Sequence, residues 1–93
     1  MSRRLRHRKD GNHDAGVGWF QVYGWTVHDT HEGASEGGPD IFAAKHGRTV
    51  AAEFKMPGEP LRQSQQEWMD KWPGEKAIIR SLEDVARLTA DIP

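Results

Sequence analysis

Hydrophobic and polar positions follow one another along the chain in segments that predict three helices and four strands. In residues 10–23 the polar side chains come first, and Val17 and Phe20 follow at helical spacing, which predicts an amphipathic helix. Short polar side chains that accept hydrogen bonds from free backbone amides are typical helix starts, and this segment offers three of them: Asp10, Asn12 and Asp14. Gly24 is a suitable stop, because glycine tolerates the left-handed geometry that ends helices.

Three strand-like runs follow this helix. Residues 25–30 are rich in β-branched and aromatic side chains, which favours a strand. Residues 31–38 are small, polar and rich in glycine, and they predict a loop. The runs 39–45 and 48–55 flank His46-Gly47, a dipeptide typical of tight turns, and they therefore predict an antiparallel hairpin.

The C-terminal half predicts a helix, a strand and a last helix. In residues 61–72 four side chains recur at spacings of four, three and four, which places them on one helical face: Leu61, Gln65, Trp68 and Trp72. We expect the two tryptophans of this face to be core residues rather than surfaces on which bases stack. Residues 76–80 predict a buried strand, and Ser81 is placed to cap the helix that follows. The predicted order is αβββαβα, an α/β arrangement.

Length and composition limit the class of protein. A chain of 93 residues fits one domain, to which we assign residues 10–93. The absence of cysteine excludes disulfides and thiolate zinc sites. No apolar run is long enough to span a membrane, and the basic start lacks the apolar stretch of a signal peptide. These features indicate a soluble, intracellular protein without a membrane partner.

The basic residues are unevenly distributed, although the formal charge is only −1. Five of the 13 lysines and arginines lie in residues 1–9, which we interpret as a basic tail: Arg3, Arg4, Arg6, Arg8 and Lys9. Such a run is often a solvated tail with no other role. On a protein that acts on DNA, it neutralises phosphates, and its contribution falls steeply with salt.

The predicted hairpin brings two carboxylates and a lysine together. Asp40 precedes the turn and Glu53 follows it at nearly equal distances, and such positions lie opposite one another in an antiparallel pair. Lys55 is two residues beyond Glu53 and leaves the same face of its strand. Facing carboxylates repel unless a positive charge lies between them. Mg²⁺ supplies that charge, prefers oxygen ligands, and promotes attack of water on a phosphodiester.

These residues resemble a known signature. Pro39-Asp40, a glycine turn and Glu53-Phe54-Lys55 resemble the PD-(D/E)XK nuclease superfamily. With Gly47-Arg48-Thr49 and Gln65-x-x-Trp68 added, the pattern is similar to the VRR-NUC branch, particularly its stand-alone phage-type members, over residues 10–85.

The resemblance implies a restriction-endonuclease-like core with a small central mixed sheet flanked by helices. It implies hydrolysis of DNA with Mg²⁺ as the cofactor and Mn²⁺ as a substitute. It also implies a phage-type homodimer that acts on branched DNA, such as Holliday junctions, in the bacterial cytoplasm. By motif position, Asp40, Glu53 and the backbone carbonyl of Phe54 would be metal ligands. Lys55 would be catalytic, and Gln65 would support the site.

The sequence departs from this family at one position. Members often carry a glutamate on the first helix that completes the metal site, whereas no glutamate occurs here before Glu32. Asn12, Asp14 or water are the candidate substitutes. This departure is the best support for an alternative function, a DNA-binding module that keeps the nuclease fold but does not cut. An RNA nuclease is a third possibility.

Structural interpretations of the same residues remain open. Asp40, Glu53 and Lys55 are also compatible with a structural ion-pair group, although a charge within the apolar run Val50–Phe54 is costly unless it has a partner or a task. Gln65 is also a candidate cap for a backbone group. The histidines follow no metal-site spacing, and we expect four of them to lie on the surface: His13, His28, His31 and His46.

Overall fold

A computed structural model of the protein describes residues 12–30 and 37–90. They form three helices and four strands in the predicted order: α1 (His13–Val22), β1 (Thr26–Asp29), β2 (Ile41–Lys45), β3 (Arg48–Phe54), α2 (Gln63–Lys71), β4 (Glu75–Ile79) and α3 (Leu82–Ala90). The α/β class is therefore confirmed. The predicted basic tail, Asp10 and most of the predicted loop at 31–38 lie outside the described residues.

Helix α1 ends at the glycine that the sequence singles out. Gly24 has a φ of 89°, and its amide donates to the carbonyl of Gln21 at 3.0 Å. The amide of Trp25 donates to the carbonyl of Phe20, also at 3.0 Å. Together these bonds form a Schellman motif, and the edge-to-face packing of Phe20 on Trp25 supplies its hydrophobic contact. The end of α1 is thus fixed against the core.

The hairpin turn sets the register of the central strands. His46 and Gly47 both have positive φ values, 52° and 82°, which is the pattern of the two-residue turns that match strand twist. Lys45 consequently pairs with Arg48, and the pairing continues to Ile41 opposite Ala52.

The four strands form one mixed sheet in the order β1-β2-β3-β4. β1, β2 and β3 are antiparallel to their neighbours. β3 and β4 are parallel, and α2 is the crossover between them. The ends of β3 and β4 therefore lie side by side, at the end of the sheet where β2 begins.

The main hydrophobic core lies on the face of the sheet that α1 and α3 cover. Alternate residues of β2, β3 and β4 point to this face, and they pack with Phe20, Trp25 and Val85. The buried members of this core are Phe20, Trp25, Ile41, Ala43, Val50, Ala52, Phe54, Ile79 and Val85.

Helix α2 covers the opposite face, and here one expectation from the sequence is wrong. Gln65 and Met69 are its buried residues, whereas Trp68 and Trp72 are only half-buried. The two indole rings stack on one another, with centroids 4.9 Å apart and planes 17° apart. Gln65 faces the sheet because its amide donates a hydrogen bond to the buried carboxylate of Glu53. Both tryptophans are therefore left at the margin.

Within residues 12–30 and 37–90, no helix has the length and apolar character needed to cross a membrane.

Candidate active site

The hairpin register places Asp40 opposite Glu53. Ile41 pairs with Ala52, so one further step along the same register reaches these two acidic residues. The amide of Asp40 donates to the carbonyl of Ala52 at 3.0 Å, which extends the ladder to this point. Asp40 Oδ2 accepts a hydrogen bond of 2.8 Å from the amide of Phe54. The Asp40 carboxylate is therefore attached to the strand that carries Glu53.

Glu53 is a buried carboxylate that accepts a hydrogen bond from another buried side chain. Its side chain is 1% exposed, and Gln65 on α2 is 4% exposed. Gln65 Nε2 donates to Glu53 Oε2 at 2.6 Å. Gln65 Oε1 accepts from the amide of Arg62 at 2.8 Å, at the start of α2. One end of the Gln65 amide therefore caps the helix while the other end holds Glu53, and a supporting role of Gln65 in a catalytic site stays a prediction.

Lys55 is buried on the same side of the chain as Glu53. It is 1% exposed, and its Nζ lies 3.5 Å from Oε2 of Glu59. The other oxygen of Glu59 accepts from the amide of Met56 at 2.9 Å. That backbone hydrogen bond, followed by the charge of Lys55, holds the pKa of Glu59 below its ordinary value.

Glu59 is not among the residues that the sequence singles out for the site. The loop is organised by a turn in which Gly58 has a φ of 81°, and the amide of Glu59 donates to the carbonyl of Met56. Arg80 Nη1 donates to the carbonyls of Met56 and Glu59 at 2.9 and 2.6 Å. The spacing of four between Lys55 and Glu59 is an available signal, but spacing predicts a contact only within a helix.

Asn12 joins the first helix to the end of the sheet. Its Nδ2 donates to the carbonyl of Lys55 at 2.8 Å and to the carbonyl of Arg80 at 3.2 Å. Asn12 does occupy the N-cap position of α1, but its side chain makes no capping hydrogen bond. Asp14 lies on the exposed part of the first turn. A ligand role for Asn12 or Asp14 stays a prediction.

His13 is not a surface residue, and that expectation is wrong. It is 1% exposed, its Nε2 lies 3.0 Å from Oδ2 of Asp29, and its ring packs edge-on against Phe54 at 5.5 Å between centroids. The ring is buried because α1 begins directly over the end of the sheet. His28 and His46 are exposed as expected, and His31 lies outside the described residues.

Asp40 and Glu53 at this end of the sheet offer hard oxygen atoms as possible metal ligands. Among the residues that the structure describes, no group of three or more histidine, cysteine, aspartate and glutamate side chains lies close enough to hold a metal ion. Mg²⁺ is commonly bound through one or two carboxylates and retains several waters. Asp40, directly before β2, and Glu53 on β3 are two carboxylates, and their residue types suit this smaller ligand set.

Comparison of the chain with models of known families, with curated proteins and with solved structures gave no match. The functional assignment therefore depends on the residues and their arrangement. The five basic residues of the tail, proposed to contact DNA, lie outside the described part of the chain.

Proposed function

We propose that this protein is a metal-dependent DNA endonuclease of the PD-(D/E)XK type, related to the VRR-NUC branch. The observation that carries the proposal is Glu53, a buried carboxylate bonded to Gln65 and opposite Asp40 in the hairpin register. Burial of a carboxylate is costly unless partners or an ion offset it. Together with Lys55, these three residues form the motif that the sequence resembles.

The proposed cofactor is Mg²⁺, with Mn²⁺ as a substitute. Asp40 and Glu53 would hold the ion, with the carbonyl of Phe54 as a third donor. When bound, the ion acidifies water and neutralises charge on the phosphate. The amide of Phe54 positions the carboxylate of Asp40 for this task, and Gln65 positions that of Glu53.

Lys55 supplies the positive charge of the proposed reaction. A phosphodiester gains negative charge as water attacks it, and a preorganised cation stabilises that charge best where water is largely excluded. Lys55 is 1% exposed, so its charge is little screened. Glu59, 3.5 Å away, keeps the ammonium group in place between turnovers.

The proposed substrate is branched DNA, and the proposed acting species is a homodimer. A chain of this length offers little surface for reading base edges, which favours recognition of DNA shape. Two copies would place two sites on one junction. The N-terminal basic residues would bind phosphates.

A cleavage assay tests the proposal. Wild type, Lys55→Met and Asp40→Asn are incubated with a supercoiled plasmid and with a four-way junction, with Mg²⁺ or Mn²⁺, and an RNA substrate is run in parallel. We expect wild type to cut DNA and both variants to lose cutting while they still bind it. Asp70→Asn, which alters an exposed carboxylate on α2, is the matched control and should cut normally.

A binding assay gives a second readout that does not depend on turnover. A ligand at 100 times its Kd stabilises a protein by about 2.7 kcal/mol, so Mn²⁺ should raise the Tm of wild type and not that of Asp40→Asn. Equal cutting by all proteins would contradict the site assignment. Metal and DNA binding by a wild type that does not cut would favour the non-catalytic alternative.

A further inference from the structure

A row of three aromatic side chains lies on the α2 face of the sheet, outside the main core. Trp72 packs between two neighbours, with the Phe42 ring at 5.6 Å and the Trp68 ring at 4.9 Å. All three are half-buried. Trp68 is the end member of this row, and its stacking partner fixes its orientation without covering it completely.

Trp68 lines a cavity of about 310 Å³. The other described lining residues lie along one stripe of α2, and they are Ser64, Glu67 and Lys71. The cavity therefore combines an aromatic plane, a hydroxyl, a carboxylate and an ammonium group within two turns of helix.

This cavity is adjacent to the candidate active site. Gln65, which holds Glu53, is the neighbour of Ser64 on the helix. Gly37, three residues before Asp40, packs so closely on the backbone of Ser64 that a β-carbon at Gly37 would overlap it. From Ser64 to Lys71 the helix rises about 10 Å. Helix α2 therefore connects the cavity to the segments that carry both carboxylates.

We propose that this cavity, defined by Ser64, Glu67, Trp68 and Lys71, binds one unpaired nucleobase of the DNA strand. The inference rests on the proposed nuclease function and adds a base-binding subsite to it. Each lining group matches one part of a nucleotide. The Trp68 indole offers a plane on which a base stacks. Glu67 accepts a hydrogen bond from an exocyclic amine of the base, and the Ser64 hydroxyl donates a hydrogen bond to the base or accepts one from it. The Lys71 ammonium group contacts a phosphate.

An unpaired base also fits the proposed preference for branched DNA. Bases inside a duplex are stacked and cannot enter a side pocket without being unpaired, which costs a few kcal/mol. Bases at a branch point or a single-stranded end have already lost part of that stacking. A base pocket beside the carboxylates would therefore favour branched or frayed DNA, in which a base is already unpaired.

Binding of single strands in the absence of divalent metal tests the subsite separately from cleavage. The full chain is titrated in EDTA with two labelled oligonucleotides of about 10 nucleotides, one of mixed sequence and one abasic throughout. Both have the same phosphate charge. We expect Trp68→Ala to weaken binding of the base-containing strand by about 5-fold to 150-fold and to leave the abasic strand unchanged. Trp68→Phe, which keeps a smaller ring, should be intermediate.

Two controls assign the effect to the pocket. Lys71→Ala should weaken binding of both strands by a similar factor, because it removes a phosphate contact and not a base contact. Val22→Ala, which truncates an apolar side chain that is 79% exposed on α1, should bind both strands as wild type does. Circular dichroism and urea unfolding verify that each variant is folded.

The outcomes separate the two proposals. Loss of base-dependent binding in Trp68→Ala supports the subsite even in a preparation that does not cut DNA. If Trp68→Ala binds both strands as wild type does, or loses affinity for both equally, the subsite is wrong, and the Asp40 and Lys55 variants still decide the nuclease function.

Discussion

Gly16 of α1 packs directly against the ring of Phe54, so closely that a β-carbon at Gly16 would overlap the ring. Phe54 stands between Glu53 and Lys55 in the sequence, and its amide holds the carboxylate of Asp40. The contact between the first helix and the end of β3 therefore positions the backbone from which the candidate site is built.

Gly16→Ala should destabilise the protein although alanine is the better helix former. The added methyl must displace Phe54 or the helix, and such overpacking costs about 1–3 kcal/mol. Gly18 is the matched control, because a β-carbon there meets no atom within 4 Å. Gly18→Ala should raise the free energy of unfolding by about 0.5–1 kcal/mol. Urea unfolding measures both, and two changes of the same sign would contradict the packing argument.

The sequence predicts the hairpin well because its information is local. His46-Gly47 supplies the two positive φ values of a two-residue turn, and such a turn fixes the register of every pair that follows. The opposition of Asp40 and Glu53 is a consequence of that register. The end of α1 is predictable for the same reason, because Gly24 and Trp25 complete a Schellman motif whose residues are all close in the sequence.

The contacts that connect different elements are not predictable in this way. Asn12 is predicted as a helix cap, but its amide bonds to carbonyls 43 and 68 residues away. Trp68 and Trp72 have the hydrophobicity of core residues, yet the position facing the sheet is taken by Gln65 because Glu53 lies there. A hydrophobicity pattern contains no information on which polar residue has a buried partner.

Gln65→Ala should destabilise the protein and reduce cutting. It removes the hydrogen bond to a buried carboxylate and the bond to the Arg62 amide, and leaving a buried group unsatisfied costs about 1–3 kcal/mol. Gln66→Ala is the matched control, since Gln66 is exposed and bonds only along the helix to Asp70 in the contacts described. Its effect should stay within about 0.5 kcal/mol. Chemical denaturation and the junction assay provide the readouts, and equal behaviour of the two variants would remove Gln65 from the site.

The contacts of Glu59 with the Met56 amide and with Lys55 should make stability depend on pH in the acid range. The amide of Met56 and then the Lys55 cation lower the pKa of Glu59 in the folded state. The unfolded chain therefore binds a proton at a higher pH than the folded protein does. The stabilisation is present above the ordinary glutamate pKa and is lost as the pH falls through the lower folded value.

Glu59→Gln tests this dependence, because it removes the titrating group and keeps an oxygen for the Met56 amide. Wild type should lose more stability than the variant between about pH 5 and about pH 3. Unfolding in urea at several pH values gives the two slopes. Glu67→Gln, which alters an exposed glutamate on α2, should retain the wild-type slope. Parallel curves for wild type and Glu59→Gln would show that Glu59 does not contribute.

Asn12→Asp distinguishes the capping role that the sequence suggests from the bridging role that the structure shows. As an N-cap, aspartate is about as good as asparagine, and a negative charge at a helix N-terminus is favourable, so capping alone predicts no loss of stability. In the structure the amide nitrogen of Asn12 donates to the carbonyls of Lys55 and Arg80. A carboxylate cannot donate when ionised, and it would face two carbonyl oxygens, which are themselves acceptors.

We therefore expect Asn12→Asp to lower the free energy of unfolding by about 1–3 kcal/mol, at least as much as Asn12→Ala. Asp70→Asn, a change between the same two residue types at an exposed position of α2, is the control and should stay within about 0.5 kcal/mol. Urea unfolding near neutral pH measures the three variants. Only a helix cap tolerates the exchange of a hydrogen-bond donor for an acceptor at this position. If Asn12→Asp is as stable as wild type, Asn12 therefore contributes as a cap of α1 and not as a link between α1 and the ends of β3 and β4.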